Sequence, residues 1–284
     1  MDLKPALTIE EQIQLLRSRG LIISSTEETS AFLSSNQYYR LNIYFHKFQD
    51  HPDHFIDQTS IYQIIRHYLH DRWLRNTLLL LLEKIEVKAK TQIAYYLGTQ
   101  YGSDAFYQKN LYKVKTFHDQ LIAVFEQETN RNKKDPVILH HYQKYAGKFP
   151  VWVVVEYLSF NSISKLFSNL QEKDKIRISR EGYDLHETFL ENWLHVLSVL
   201  RNICAHYGYL FRRDYSVRPK IARASGWDEN KNNELFAQLL IIRKLTEANT
   251  WNRFIEKLEK RSQLDDCLQL SDYGFPTNWK TYLL

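Results

Sequence analysis

Leu197-Ser-Val-Leu-Arg-Asn-Ile-Cys-Ala-His-Tyr-Gly-Tyr209 closes a long helical pattern and sets Arg201, Asn202 and His206 in the spacing R-N-x-x-x-H. Upstream, Asp184 reads as an N-cap and Glu187, three residues on, as its capping-box partner. From Leu185 onward, Phe189, Trp193, Val196, Leu197, Leu200 and Cys204 recur at helical spacing. At 100° per residue they form one apolar stripe, the natural core face of an amphipathic helix. His195, Asn202 and His206 fall on the opposite face, and Arg201 lies on the flank between.

Two readings follow. In the first, this is a solvated outer face ending in a histidine that the helix dipole favours. In the second, it handles phosphate. Arginine offers a permanent planar charge to a phosphate, and histidine is the side chain whose ordinary pKa lies nearest neutrality. Asparagine can hold a substrate oxygen or fix a ring. Because the three do not point one way, such a pocket needs another wall, which a second copy across a two-fold axis would supply.

The segment Leu200-Arg-Asn-Ile-Cys-Ala-His-Tyr-Gly208 resembles the R-x(4–6)-H signature of HEPN ribonucleases, in the form found in the abortive infection (Abi) family, AbiD/AbiF-like. Further blocks resemble that family in the same order: Tyr38-Tyr-Arg-Leu-Asn-Ile-Tyr-Phe-His-Lys-Phe48, Asp71-Arg-Trp-Leu-Arg75 with Glu83-Lys-Ile-Glu-Val87, Pro150-Val-Trp152 with Glu156-Tyr-Leu-Ser-Phe160, and Gly274-Phe-Pro-Thr-Asn-Trp279. The chain departs from the pattern at Asn161, at Lys88-Ala-Lys90 and in the tail Tyr209-Leu-Phe-Arg-Arg213. The resemblance implies an all-α HEPN-type helical bundle with additional N- and C-terminal helices. It also implies a metal-independent endoribonuclease acting as a toxin or phage-defence effector, with Arg201, Asn202 and His206 catalytic. Glu86 joins them on the resemblance as the residue that orients Arg201; from spacing alone it is an i,i+4 partner of Lys90. HEPN ribonucleases build composite sites from paired domains, so the resemblance implies a homodimer. The alternative is a non-catalytic RNA-binding module of a toxin–antitoxin or defence system.

Composition is compatible with this. The 284 residues contain 8 Gly and 6 Pro, few enough to favour a helix-rich globular chain. A net charge of +5 permits an anionic partner without demanding one. Two cysteines, Cys204 and Cys267, make no disulfide framework, and no Cys/His spacing suggests zinc, so neither metal nor cofactor is expected. The start of the chain lacks a signal-peptide apolar region, and the longest apolar run, Leu78 to Leu82, is too short to span a bilayer. A cytoplasmic protein with RNA as partner, and with neither membrane nor DNA, is expected.

Residues 1–58 read as an N-terminal helical subdomain packed on the core, and 59–284 as the main helical domain. Thr8 with Glu11 and Ser25 with Glu28 are capping boxes for two short helices. Tyr38 to Phe48 reads as an aromatic core strip with basic residues reaching outward; an outward-facing tyrosine pair would instead favour base stacking. Ser60 to Gly98 is the longest helical stretch, with Asp71 either capping a second helix or marking a bend. Asp135-Pro136 starts a helix carrying His140 and His141, both read as surface residues. Residues 151–158 suit strand or buried helix; with no partner strand in sight, helix is expected. Tyr209 to Ala224 reads as an extended basic loop. There Arg212, Arg213, Arg218, Lys220 and Arg223 face a single acid, Asp214, with Tyr209, Phe211 and Tyr215 interleaved. Basic and aromatic residues together suit single-stranded RNA; Tyr209 and the five cations are its candidate contacts.

Overall fold

The computed structural model describes residues 5–222, 225–265 and 268–284. Thr8 caps α1 (Ile9–Ser18) in a complete capping box with Glu11, and the helix stops ahead of Gly20, which takes φ +91°. Ser25 caps α2 (Thr26–Ser35) by accepting the Glu28 N–H. The Glu28 carboxylate does not return the bond; it takes the Tyr62 hydroxyl instead. α3 (Tyr38–Phe45) buries Leu41, Tyr44 and Phe45 and leaves Tyr39 and Arg40 exposed. A small antiparallel hairpin follows, β1 (Gln49–His51) and β2 (His54–Phe55).

The frame of the molecule is α4 (Ile61–Tyr101), 41 residues begun by a Ser60–Gln63 capping box. At 1.5 Å per residue it runs about 60 Å. It contains no proline, and its first glycine is Gly98, so nothing interrupts it. The run Leu78–Leu82 is not apolar-buried all round: Leu78, Leu81 and Leu82 are covered, while Leu80 is 59% exposed. Asp71 neither caps nor bends this helix; it is fully buried as the eleventh of the 41 residues.

Five helices follow, α5 (Lys115–Arg131), α6 (Pro136–Tyr145), α7 (Val151–Tyr157), α8 (Phe160–Asn169) and α9 (Glu172–Tyr183); α7, α8 and α9 pack on α4, and α5 packs on α7 and α8. Residues 151–157 are thus helical, with Val151, Val154 and Val155 buried: tertiary packing overrides the β-propensity of the valines. Asp135 caps α6. His141 is buried there and not on the surface, its ring stacked on Phe149 at 5.0 Å, whereas His140 is exposed.

The signature helix is α10 (Glu187–Ala205), packed against α8, α4 and α9. His186, not Asp184, is its N-cap. Asp184 sits at φ +52° and ends α9 instead. The Leu185 N–H reaches back to Ser179 O at 3.1 Å, closing α9 in the manner of a Schellman turn. α11 (Leu235–Leu245), α12 (Ala248–Leu264) and a short α13 (Lys280–Leu283) complete the chain. The class is all-α, the hairpin being the exception among the described residues. No described helix is long and apolar enough to cross a membrane.

Candidate functional site

The core stripe of α10 buries Leu190, Trp193, Leu194, Val196, Leu197, Leu200 and Cys204. Burial pushes the Cys204 thiol up to about 12, so it is an inert hydrophobe. One flank of the last turn carries Arg201. Its Nε lies 3.2 Å from Glu86 Oε2 of α4, with the Arg201 side chain 34% and the Glu86 side chain 11% exposed. Glu86 also meets Lys90, one turn on, at 3.5 Å. Lys90 in turn donates to Glu156 O at the end of α7. Arg201 Nη1 is 3.4 Å from Asn202 Oδ1, so neighbouring side chains converge although their Cα vectors diverge by about 100°.

His206 is the C-cap of α10: its N–H bonds Asn202 O at 2.9 Å and its side chain is exposed. Beyond it Tyr207 takes φ +60°, a left-handed conformation costing a non-glycine residue about 1 kcal/mol. Gly208 then donates to Ile203 O at 2.8 Å. A Cβ on Gly208 would stand 2.9 Å from Ile203 Cγ2, so this close return of the chain needs glycine. Tyr207 is 69% exposed beside the histidine. Arg40 of α3 holds it, donating to Tyr207 O at 3.2 Å and lying 5.7 Å from its ring.

The segment leaving the helix is fixed from inside. The Asp71 carboxylate accepts from Leu210 N–H at 3.1 Å, Phe211 N–H at 3.0 Å, the Tyr44 hydroxyl at 2.9 Å and Arg75 Nη1 at 2.5 Å. Burial pushes the Asp71 carboxyl up, and Arg75 with the three other donors opposes that. The aspartate that the sequence left as cap or bend is therefore a clamp on the chain immediately after His206. Arg40 and this clamp were missed because both are long-range contacts. The one available signal was that Tyr38-Tyr-Arg and Asp71 to Arg75 stand in blocks carrying the family resemblance.

Residues 209–222 are irregular loop, but not a continuous aromatic ladder. Phe211 and Tyr215 are buried, while Tyr209 is exposed. Arg213 lies over the rings of Tyr209 at 4.9 Å and Tyr215 at 5.7 Å. Arg212, at φ +47°, gives its Nε to Asp272 at 2.7 Å. Further along, Asn192 stitches the loop to α10: it donates to Arg218 O at 3.1 Å and accepts from Lys220 N–H at 2.7 Å. Trp193 Nε1 adds a bond to Lys220 O at 2.7 Å. Arg218 and Lys220 are exposed, and Lys220 with His195 lines a groove of about 450 Å³. Asn192 and His206 are fourteen residues apart, about 21 Å along the helix. The candidate contacts therefore split into a group at the site, Tyr209 and Arg213, and a distant pair, Arg218 and Lys220. Arg223 and Cys267 lie outside the described residues.

The arrangement is thus a glutamate-braced arginine, an asparagine and an exposed histidine at the open end of one helix, in an all-helical chain. The chain belongs to the Abi-like protein family, whose model matches residues 31–212. That span takes in Arg40, Asp71, Glu86, Arg201, Asn202 and His206 and stops at Arg212. Membership suggests a role in abortive infection, a phage-defence response. Comparison with curated proteins and with solved structures finds no match.

Proposed function

We propose that this Abi-like protein is a metal-independent endoribonuclease of the HEPN type, AbiD/AbiF-like, acting as a toxin or phage-defence effector. The observation that carries the reading is the Glu86–Arg201 ion pair at 3.2 Å, which aims a partly exposed guanidinium from the turn that ends at the exposed His206. An arginine held by a buried carboxylate keeps a fixed direction and still has donors to offer a phosphate.

In the proposed reaction an RNA 2′-oxygen attacks the adjacent phosphorus while the bond to the 5′-oxygen breaks. The products are a 2′,3′-cyclic phosphate and a 5′-hydroxyl end. His206 relays the proton between the 2′-hydroxyl and the leaving oxygen. Arg201 stabilises charge growing on the phosphoryl oxygens. Asn202 fixes a substrate oxygen or the imidazole, and Glu86 positions Arg201. Tyr209 and Arg213 contact the nucleotides nearest the cut; Arg218 and Lys220 hold phosphates about 20 Å back along α10. The acting form is a homodimer with the two α10 helices facing, since one helix presents Arg201 and His206 in different directions.

The test is to incubate purified protein with end-labelled RNA in EDTA. Cyclic-phosphate products, lost in His206→Ala, are expected. RNA bound but left intact under every condition would replace this reading with that of an RNA-binding module. Light scattering of the active species checks the dimer: full-rate cleavage by a monomer would break that part.

A further inference from the structure

Far from α10 in the chain, two histidines and an aspartate converge on the β1–β2 hairpin. The sequence is Asp50-His51-Pro52-Asp53-His54, and Asp53 turns the chain at φ +63°. That turn sets His51 opposite His54 in the strand register. Their rings stack with centroids 4.5 Å apart and planes 21° from parallel. Both rings face the same oxygen: His54 Nδ1 is 2.9 Å and His51 Nε2 3.7 Å from Asp50 Oδ1. The three donor atoms lie within 4.8 Å of one another.

We propose that Asp50, His51 and His54 form a site for one divalent transition-metal ion of the zinc type. Bonds of 2.0–2.2 Å in a tetrahedron place ligand atoms about 3.4 Å apart, and the three donors, within 4.8 Å of one another, need only small shifts and a turn of the stacked rings to reach that spacing. Two imidazoles and a carboxylate suit zinc, and a hard cation such as magnesium or calcium would need more oxygens. His51 Nδ1 lies 3.3 Å from Pro52 O. A proton placed there leaves a lone pair on Nε2, the nitrogen nearer Asp50, which is the usual outer-shell device for a histidine ligand. The hairpin is braced before any ion arrives: Arg19 pairs with Asp53 at 2.7 Å, and Phe55 N–H donates to Arg19 O at 2.8 Å. The side chains of Asp50, His51 and His54 are 50%, 62% and 43% exposed, so an ion enters from solvent and water completes its shell.

None of the three hydrogen-bonds, ion-pairs or stacks with Arg201, Asn202 or His206 in any contact described above. The ion would therefore staple the hairpin and take no part in the reaction proposed above. H-x-x-H alone is no zinc signature, which is why the spacing of Cys and His residues suggests no metal; only the turn at Asp53 brings Asp50 to face both rings.

Tag-free protein stripped with EDTA and titrated with zinc chloride by calorimetry tests the site. One zinc ion per chain is expected, with His51→Ala or His54→Ala weakening binding at least about tenfold. The ligands are exposed, so both variants should keep the wild-type circular dichroism spectrum and melting midpoint in EDTA. Independently of any variant, zinc should shift the imidazole proton resonances of these two histidines in NMR spectra. No uptake by the wild-type chain, or uptake undiminished in the His51→Ala/His54→Ala double variant, would overturn the site and leave an ordinary Asp50–His54 ion pair.

Discussion

Asp71 and Glu86 are fifteen residues apart on one helix, and each meets a cation and the region of α10. Both carboxylates are buried, but they differ in their donors and in how far the cation each holds reaches water: Arg75 is 4% exposed and Arg201 34%. Asp71 is closed in, with Arg75 at 2.5 Å, the Tyr44 hydroxyl and two backbone N–H groups using its oxygens. Glu86 holds Arg201 at 3.2 Å while a third of the arginine stays exposed. A carboxylate saturated with donors can only hold structure in place. One that orients a partly exposed arginine leaves that arginine free to bind something further. The same charge pairing is thus a clamp at Asp71 and, about four turns further along α4, the back wall of a candidate site at Glu86.

The largest effect should come from opening the clamp. Asp71→Ala leaves Arg75 buried without its partner and two N–H groups without an acceptor, a loss of about 3–5 kcal/mol. Chemical denaturation should read this as a fall in midpoint with the slope kept. A loss below about 1 kcal/mol would mean that Asp71 and Glu86 are not different in kind.

Arg201→Ala should behave the other way round. It should keep the melting midpoint and cut the proposed RNA cleavage by about 10²–10³-fold, the usual cost of removing one donor to a developing charge. A variant that unfolds would place Arg201 with Asp71 among the structural residues.

Glu86→Gln sharpens the contrast further. Glu86 is buried, but a third of Arg201 reaches water and glutamine keeps the side chain's shape, so stability should fall by about 1–2 kcal/mol, less than for Asp71→Ala. Cleavage should drop about ten- to a hundredfold through a misdirected guanidinium. Activity at the wild-type rate would reduce Glu86 to a local partner of Lys90.

The last expected effect is a pH dependence of stability and concerns His67, near the clamp. Burial and the neighbouring Lys47 lower its pKa to about 4, against weaker raising contributions from its bond to Gln63 O and from Asp272. Its Nδ1–H donates to Gln63 O at 3.0 Å, and Nε2 accepts from Lys47 at 3.0 Å. The unfolded chain, with an ordinary value of about 6.5, binds more protons across the interval between the two. Stability should therefore be complete above about pH 6.5 and decline as pH falls toward 4. Melting curves at pH 7 and pH 5 measure the decline, and His67→Gln should make it shallower. An equal decline in the variant would assign the effect to other groups, of which His70, also lowered by burial, is the first to examine.

The sequence by itself determined the class of fold, because apolar spacing and scarce glycine and proline are local properties. It placed α4 and the signature helix, and Thr8, Ser60 and Asp135 cap helices by contacts no more than three residues away. It picked out Arg201, Asn202 and His206 by type and spacing. It erred where two neighbours compete for one residue: Asp184 has the chemistry of an N-cap but closes α9, since left-handed backbone at that turn is cheaper for aspartate than for most residues. It could not tell buried His141 from exposed His140, because a 100° step decides burial only once Phe149 is in place. The family resemblance had set Glu86 beside Arg201, but no local pattern did; only the tertiary structure brought Arg40 to Tyr207 and Asp71 to the backbone of Leu210 and Phe211, and put Glu86 within 3.2 Å of Arg201. Those contacts span 115 to 167 residues of chain. Local patterns carry no record of such distances; the packing of α10 and α3 on α4 sets them.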